Sequence, residues 1–238
     1  MNFSKTIFAV LLLALSSVNL HAQENTKPAA IAIVKNSIEA MGGESFLRSI
    51  KTLYTDFKTE TQGREVNYVT KEMLPNKGSF KIVYQGRVVF QNWFDGKNAF
   101  ETVKGEVKKA DLAEFKDKFD RKNIFNELDW ITPELFKLEL LNDEKVGAKD
   151  CYKIKATRNN GLVELLYFGK ESKLLERSDK VENAEKNSFA TTLYISYKKV
   201  SGLTFASEIK MGDKDSSQTL SVVELKINED ISDSDFKP

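Results

Sequence analysis

Histidine is almost missing from this chain: the one histidine among 238 residues is His21. It falls inside an N-terminal stretch that reads as an export signal, so the mature chain is left with none. That excludes Ser-His-Asp and Cys-His nucleophile pairs, the commonest general base and the usual zinc ligand. Cysteine is equally scarce. Cys151, alone, can form no internal disulfide, so an oxidising compartment has to be withstood without one. Its setting, DCYKIKAT, alternates like a strand and predicts a buried structural thiol. Membrane-length apolar runs are absent: Ile7 to Leu15 is too short to span a bilayer, and no later run comes near that length. Net charge is absent as well. The 36 Lys and Arg, less Lys5 of the signal, equal the 35 Asp and Glu. A neutral mature chain lacks the basic footprint of a nucleic-acid groove and any electrostatic pull toward an anionic membrane.

What is present begins with MNFSKTIFAVLLLALSSVNLHAQ. Lys5 supplies a positive start, Ile7 to Leu15 an apolar core, and Ser16 to Ala22 a small and polar exit. Residues 1–22 are expected to be a signal peptide, residues 23–29 a linker, and residues 30–238 a single domain of a soluble exported protein.

From Ala30 to Met41 the apolar residues Ile31, Val34, Ile38 and Met41 fall at helical spacing. Gly42 and Gly43 follow, and the order helix, glycines, strand decides how they read. A phosphate cradle needs strand, glycines, helix, so that helix N-terminal amides face the phosphate. The pair is expected to end the helix as a left-handed cap.

Short alternating segments then dominate. Residues 51–60, 64–74, 79–84, 87–94 and 98–103 form one set; 151–158, 162–169, 174–181, 188–200, 203–211 and 218–228 form a second. Turn residues separate them too closely for parallel crossovers, so antiparallel hairpins are predicted. The fold class is mainly β: a strongly curved antiparallel sheet of about eleven strands, an incomplete barrel around an N-terminal helix and a helical lid. The lid is placed in a helical insertion at about 106–141, where Leu112, Phe115 and Phe119 sit at helical spacing and Pro133 could open another helix.

Several strands, such as LVELLYFG and RVVFQNWF, are apolar on both parities. Central strands covered by helix would give that pattern, and so would a cavity for an apolar ligand. On the second reading the cavity is lined by Phe80, Ile82, Val88, Phe90, Phe94, Phe100, Leu165, Tyr167, Phe205 and Ile209, with Phe115, Phe119 and Trp130 from the lid. Carboxylates are the only catalytic candidates. Glu127 and Asp129 lie just before Trp130, which would suit a carbohydrate hydrolase with two acids beside an aromatic platform, but residues two apart on a helix do not face each other. Asp213-Lys214-Asp215 falls short of a calcium loop and reads as a polar hairpin. No catalytic residue, metal or cofactor is expected.

Three stretches resemble the LolA-type periplasmic lipoprotein carriers and their superfamily. They are the amphipathic helix leading into the first strands; MLPNKGSFKIVYQGRVVFQNWFDGKNAFETV, with its Pro-Asn turn, aromatic strand, apolar strand and Asp-Gly-Lys turn; and VVELKINEDISDSDFKP, a last strand with a Phe-x-Pro tail. YFGKESKLLERSDKV matches the family's hairpin pattern as well. The resemblance covers residues 30–238. It implies an unclosed barrel with a helical lid over a hydrophobic cavity. It also implies a non-enzymatic periplasmic carrier of a lipid or acylated lipoprotein, with membrane-bound donor and acceptor proteins as further partners. One position departs from the pattern: Leu74 stands where the lipoprotein carriers have an arginine before the Pro-Asn turn. Two other classes remain open from the residues alone. One is an envelope interaction or sensor module that binds protein or peptide and has a filled interior; the other is a carboxylate-only glycan hydrolase.

Overall fold

The computed structural model describes residues 27–183, 188–212 and 217–237. The signal peptide, His21 and the Asp213-Lys214-Asp215 turn lie outside them.

Helix α1 runs over residues 27–41. It therefore takes in the last three residues assigned to the linker, because Pro28 in the first turn has no hydrogen bond to lose and its fixed φ suits a helix start. Ala30, Val34, Ile38 and Met41 form its buried stripe. The glycine pair ends it: the Gly42 and Gly43 amides bond back to the Glu39 and Ile38 carbonyls at 3.2 and 3.0 Å, both glycines have positive φ, and a Cβ on Gly42 would sit 2.9 Å from the Gly202 carbonyl oxygen. A short helix α2, Glu44–Ser49, then delivers Leu47 to the core.

Among the described residues, fourteen antiparallel strands make one sheet. They are β1 Thr52–Thr61, β2 Arg64–Met73, β3 Lys77–Tyr84, β4 Arg87–Phe94, β5 Ala99–Val103, β6 Glu106–Lys109, β7 Phe136–Leu140, β8 Glu144–Val146, β9 Lys149–Arg158, β10 Val163–Gly169, β11 Leu175–Asn183, β12 Ser188–Val200, β13 Leu203–Met211 and β14 Gln218–Ile227. The order is β6-β5-β4-β3-β2-β1-β14-β13-β12-β11-β10-β9-β7, with β8 also on β9. The first strand thus joins the last, and the sheet stays open between β6 and β7. Four hairpins turn on Gln62-Gly63, Gln85-Gly86, Lys104-Gly105 and Ser201-Gly202, with positive φ at both residues of each pair. This is the two-residue turn whose twist matches that of its strands.

The strand count exceeds the expected eleven by β6, β7 and β8; β7 does alternate, FKLEL, but beside Pro133 it reads with the helical insertion. β6 reads EVKK and carries no apolar alternation; its Lys104-Gly105 turn and pairing with β5 hold it extended. Both β6 and β7 lie within the stretch expected to be a helical insertion. Only a 3-10 turn, Leu112–Phe115, and a five-residue helix α3, Asn126–Trp130, are helical there. Pro133 opens no helix: it lies in the turn closed by the Leu135 and Phe136 amides on the Thr132 carbonyl.

Two faces of the sheet follow from the pairing. On the inner face, α1, α2 and α3 meet Leu53, Ile154, Ala156, Leu166, Phe168, Leu175 and Leu203 in one buried cluster. On the outer face of β2 and β3 lies the C-terminal tail, tied by the Lys71–Asp235 and Lys77–Asp233 pairs, with Phe236 buried. Cys151 is buried and its thiol is held protonated by that burial.

Candidate functional site: a cavity under a pinned strap

Because β6 and β7 are opposite edges of the sheet, residues 110–135 between them must cross the inner face. This strap is fastened to both halves. Arg121 meets Glu72 of β2 at 2.6 Å, and Lys118 meets the same carboxylate at 3.4 Å. Arg121 also donates to the Asn123 carbonyl at 2.8 Å and to that of Ile124. On the other half Arg158 of β9 pairs with Asp120 and donates to the Asp117 carbonyl at 2.6 Å. Lys180 of β11 pairs with Asp117 at 3.1 Å. Phe115 and Phe119 clasp Phe94 of β4, with ring centroids 5.9 and 5.3 Å away.

Between strap, α1 and sheet lies a cavity of 270 Å³ lined by apolar Met41, Leu53, Ile124, Phe125, Phe205 and Ile209. Its polar members are hydroxyls, acids and one amide: Ser37, Thr55, Thr70, Thr204, Tyr194, Tyr197, Glu72, Glu127 and Asn126. A second space of 310 Å³ shares Glu72 and Asn126 with it and is ringed by the strap's ion pairs. A third, of 330 Å³, shares Asp117, Glu164 and Lys180 with the second and reaches Glu114, Glu182 and Ala190. The three follow one another along the inner face.

The two cavity acids are in opposite states. Burial alone would raise the Glu72 carboxyl, but Arg121 and Lys118 outweigh it and hold it below its ordinary value. Glu127 forms no ion pair among the described residues, and burial pushes it up to about 7. The Tyr194 phenol is raised by burial to about 12, and Tyr197 is raised in the same way while donating to the Leu175 carbonyl at 2.5 Å. Ser37 is buried in the apolar stripe of α1, and its hydroxyl has no hydrogen-bond partner.

The structure brings some of the expected residues together and separates others. Phe205 and Ile209 line the cavity. Phe80, Ile82 and Phe90 lie on the same face of the sheet, through Thr70↔Phe80 and Ile82↔Phe90 pairing. They are only partly buried, and Phe80 contacts Tyr68 edge-on at 5.2 Å and Phe90 at 6.2 Å. Phe94 is fully buried beneath the strap. Val88 is 52% exposed beside the Gln85-Gly86 turn. Three residues face the other way. Phe100 stacks on Trp93 at 5.6 Å on the outer face. Leu165 and Tyr167 alternate with the inner-facing Glu164, Leu166 and Phe168. Tyr167 is buried on the outer side because Lys153 and Arg177 lie over its ring and Asp179 accepts its hydroxyl proton at 3.1 Å.

Of the strap residues, Phe115 is buried, Phe119 is 46% exposed, and Trp130 packs edge-on against Phe168 in the core. Glu127 and Asp129 do not share a groove: Glu127 lines the cavity, while Asp129 is fully buried and accepts hydrogen bonds from the Asn123 side chain at 2.7 Å and the Lys122 amide. Leu74 packs against the main core, and the arginine near that turn is Arg121, from the strap. Sequence reasoning missed Ser37, Glu72, Arg121, Tyr194 and Tyr197. Only Ser37 left a trace, as a hydroxyl within the helical stripe of Val34, Ile38 and Met41.

The open antiparallel sheet, wrapped on α1 and crossed by a strap, matches solved structures over nearly their whole length. A LolA superfamily protein from Nitrosomonas europaea superposes with a TM-score of 0.60, covering 88% of this chain and 97% of that one at 14% identity. The fold is LolA-like. The same LolA-like architecture recurs in a putative outer membrane lipoprotein-sorting protein domain from Vibrio parahaemolyticus, with a TM-score of 0.57, 11% identity and coverage of 88% and 97%. A DUF1329 family protein from Desulfovibrio piger gives 0.57, 13% identity and coverage of 87% and 97%. No family model matches the sequence, and neither does any curated protein. Among the described residues no helix is long and apolar enough to cross a membrane.

Proposed function

We propose that this protein is a non-enzymatic binder or carrier of an apolar, acylated ligand in the cell envelope. The observation that carries the reading is the cavity beneath the strap, continued by partly open aromatic side chains on β2, β3 and β4. Apolar surface left unsealed on an inner face is costly in water, and a ligand chain recovers about 0.8 kcal/mol for each methylene it buries there. At 270 Å³ the closed cavity stands at the lower end of small-molecule sites. It suits one chain, with a second possible only if the strap lifts. The first part of the strap, residues 110–123, is held by ion pairs and by a small aromatic clasp, fastenings that release more readily than a packed core. Ile124, Phe125, Leu128, Trp130 and Leu135 anchor its second part in the core. The LolA-like fold and the lipoprotein-sorting domain among its neighbours agree with a lipid or lipoprotein cargo. The export signal read from the sequence agrees with a periplasmic site of action, where membrane-bound donor and acceptor proteins would be the partners.

The test is native mass spectrometry of the protein purified from its own envelope, with uptake of N-phenyl-1-naphthylamine by the delipidated protein. Retained lipid or saturable fluorescence is expected. A protein that carries no lipid and leaves the fluorophore dark would instead fit an interaction module with a filled interior.

A further inference from the structure

Resting on that binding reading, the polar groups of the cavity say what kind of head a bound chain must have. Every cation lining this cavity or the second space is already committed. Arg121 and Lys118 both address Glu72, Arg158 addresses Asp120, and Lys180 addresses Asp117. Of the acids, Glu127 and Glu164 form no ion pair among the described residues, and Glu127 is the one that lines the first cavity. It projects from α3 into the cavity without a cation, and the groups that act on it are Arg121 of the strap, Glu164 of β10, and Tyr194 and Tyr197 of β12.

Opposite these stands Ser37 of α1. A serine inside a helix ordinarily returns its hydroxyl to the carbonyl one turn back. Here it does not, and the buried oxygen is left without a partner. An unmade hydrogen bond of this kind is a cost that a ligand group can relieve. The remaining polar lining groups are also neutral: the Thr55, Thr70 and Thr204 hydroxyls and the Asn126 amide.

We propose that the cavity selects an amphiphile whose buried polar end carries no negative charge and both donates and accepts hydrogen bonds, with Ser37 and Glu127 as its specificity-determining residues. A long-chain alcohol, a hydroxyl-bearing glyceride or an acyl amide fits this description. A fatty-acid carboxylate does not. It would meet Glu127 as a like charge in a poorly solvated space, or it would have to break one of the strap's ion pairs to find a cation. The hydroxyl of an alcohol can instead donate to Glu127 and accept from Ser37, filling the one vacant bond in the lining.

The experiment compares dodecanol with dodecanoate at pH 8, where the latter is ionised, as competitors for N-phenyl-1-naphthylamine on the purified full chain. Dodecanol is expected to bind tighter by about ten-fold or more. Glu127→Gln should narrow the gap to within about three-fold by admitting the carboxylate. Ser37→Ala should weaken dodecanol several-fold while leaving the protein at least as stable. Equal affinities in the unmodified protein, or tighter dodecanoate, overturn the selection and leave apolar binding standing. A fluorophore that never binds removes both.

Discussion

Under the β9–β14 half of the sheet, α1 presses its stripe onto Ile154, Ala156, Leu166 and Leu203, all without measurable exposure. Under the β2–β4 half, Tyr68, Phe80, Ile82 and Phe90 keep part of their surface open. The buried apolar side chains there are Val66, Phe94, Ala99 and Phe115. Both halves use the same hairpins and the same alternation, so the difference lies in what covers them. A helix seals most of one side. The other is covered by the charge-fastened part of the strap, and the cavity lies at the boundary, between β1–β2 and β12–β13.

This contrast can be broken by substitution. Leu166→Ala, in the sealed half, should cost about 2–5 kcal/mol in urea unfolding. Phe80→Ala, in the open half, should cost under about 1.5 kcal/mol yet weaken fluorophore uptake clearly. Equal stability losses would show that the halves do not differ. Next in size comes the strap. Arg121→Ala strands Glu72 without its closest cation, and a loss of about 2–3 kcal/mol is expected. Faster proteolytic cleavage within residues 110–125 should accompany it, with the β9–β14 core still resistant. Cleavage at an unchanged rate would mean that the aromatic clasp, not the charges, holds the strap.

A third test uses the opposed acids of the cavity. Glu127, raised to about 7, stabilises the fold fully below its ordinary value near 4.5, and that contribution is lost as pH rises through 7. Glu72, held low, contributes above its ordinary value and loses its contribution as pH falls through the depressed one. Glu127→Gln should therefore flatten the decline between pH 4.5 and 8, gaining on the order of 2 kcal/mol at pH 8 and little at pH 4. A decline that survives the substitution would place the titrating group elsewhere.

Much of this was open to reading in the sequence, and the failures have physical causes. Hairpins announced themselves through glycine turns, and α1 through the spacing of Val34, Ile38 and Met41. Phe80, Ile82 and Phe90 share the inner face with Thr70. Leu165 and Tyr167 lie on the outer face, against expectation: LVELLYFG is apolar on both parities, and only the position of α1 decides which parity faces the core. Tyr167 reached burial on the outer side through cations over its ring and Asp179 at its hydroxyl, a solution no periodicity announces. The strap was misread as helix since Phe115 and Phe119 keep helical spacing while clasping one ring, Phe94, from a non-helical turn. Glu127 was noticed for its neighbour Asp129, and its cavity setting depends on residues far off in the chain.

The pairing of β1 with β14 sets the order in which this molecule can be completed. Thr59 bonds the carbonyl of Thr219, 160 residues later, so the first strand keeps a bare edge until almost the whole chain has emerged. Long-range closure of this kind slows folding, and an unpaired strand is open to other chains while it waits. The β1–β6 meander can form early, but its open aromatic face and its bare edge are then exposed together. The newly made protein is at its most aggregation-prone then, and a factor that covers β1 during that interval should raise its yield.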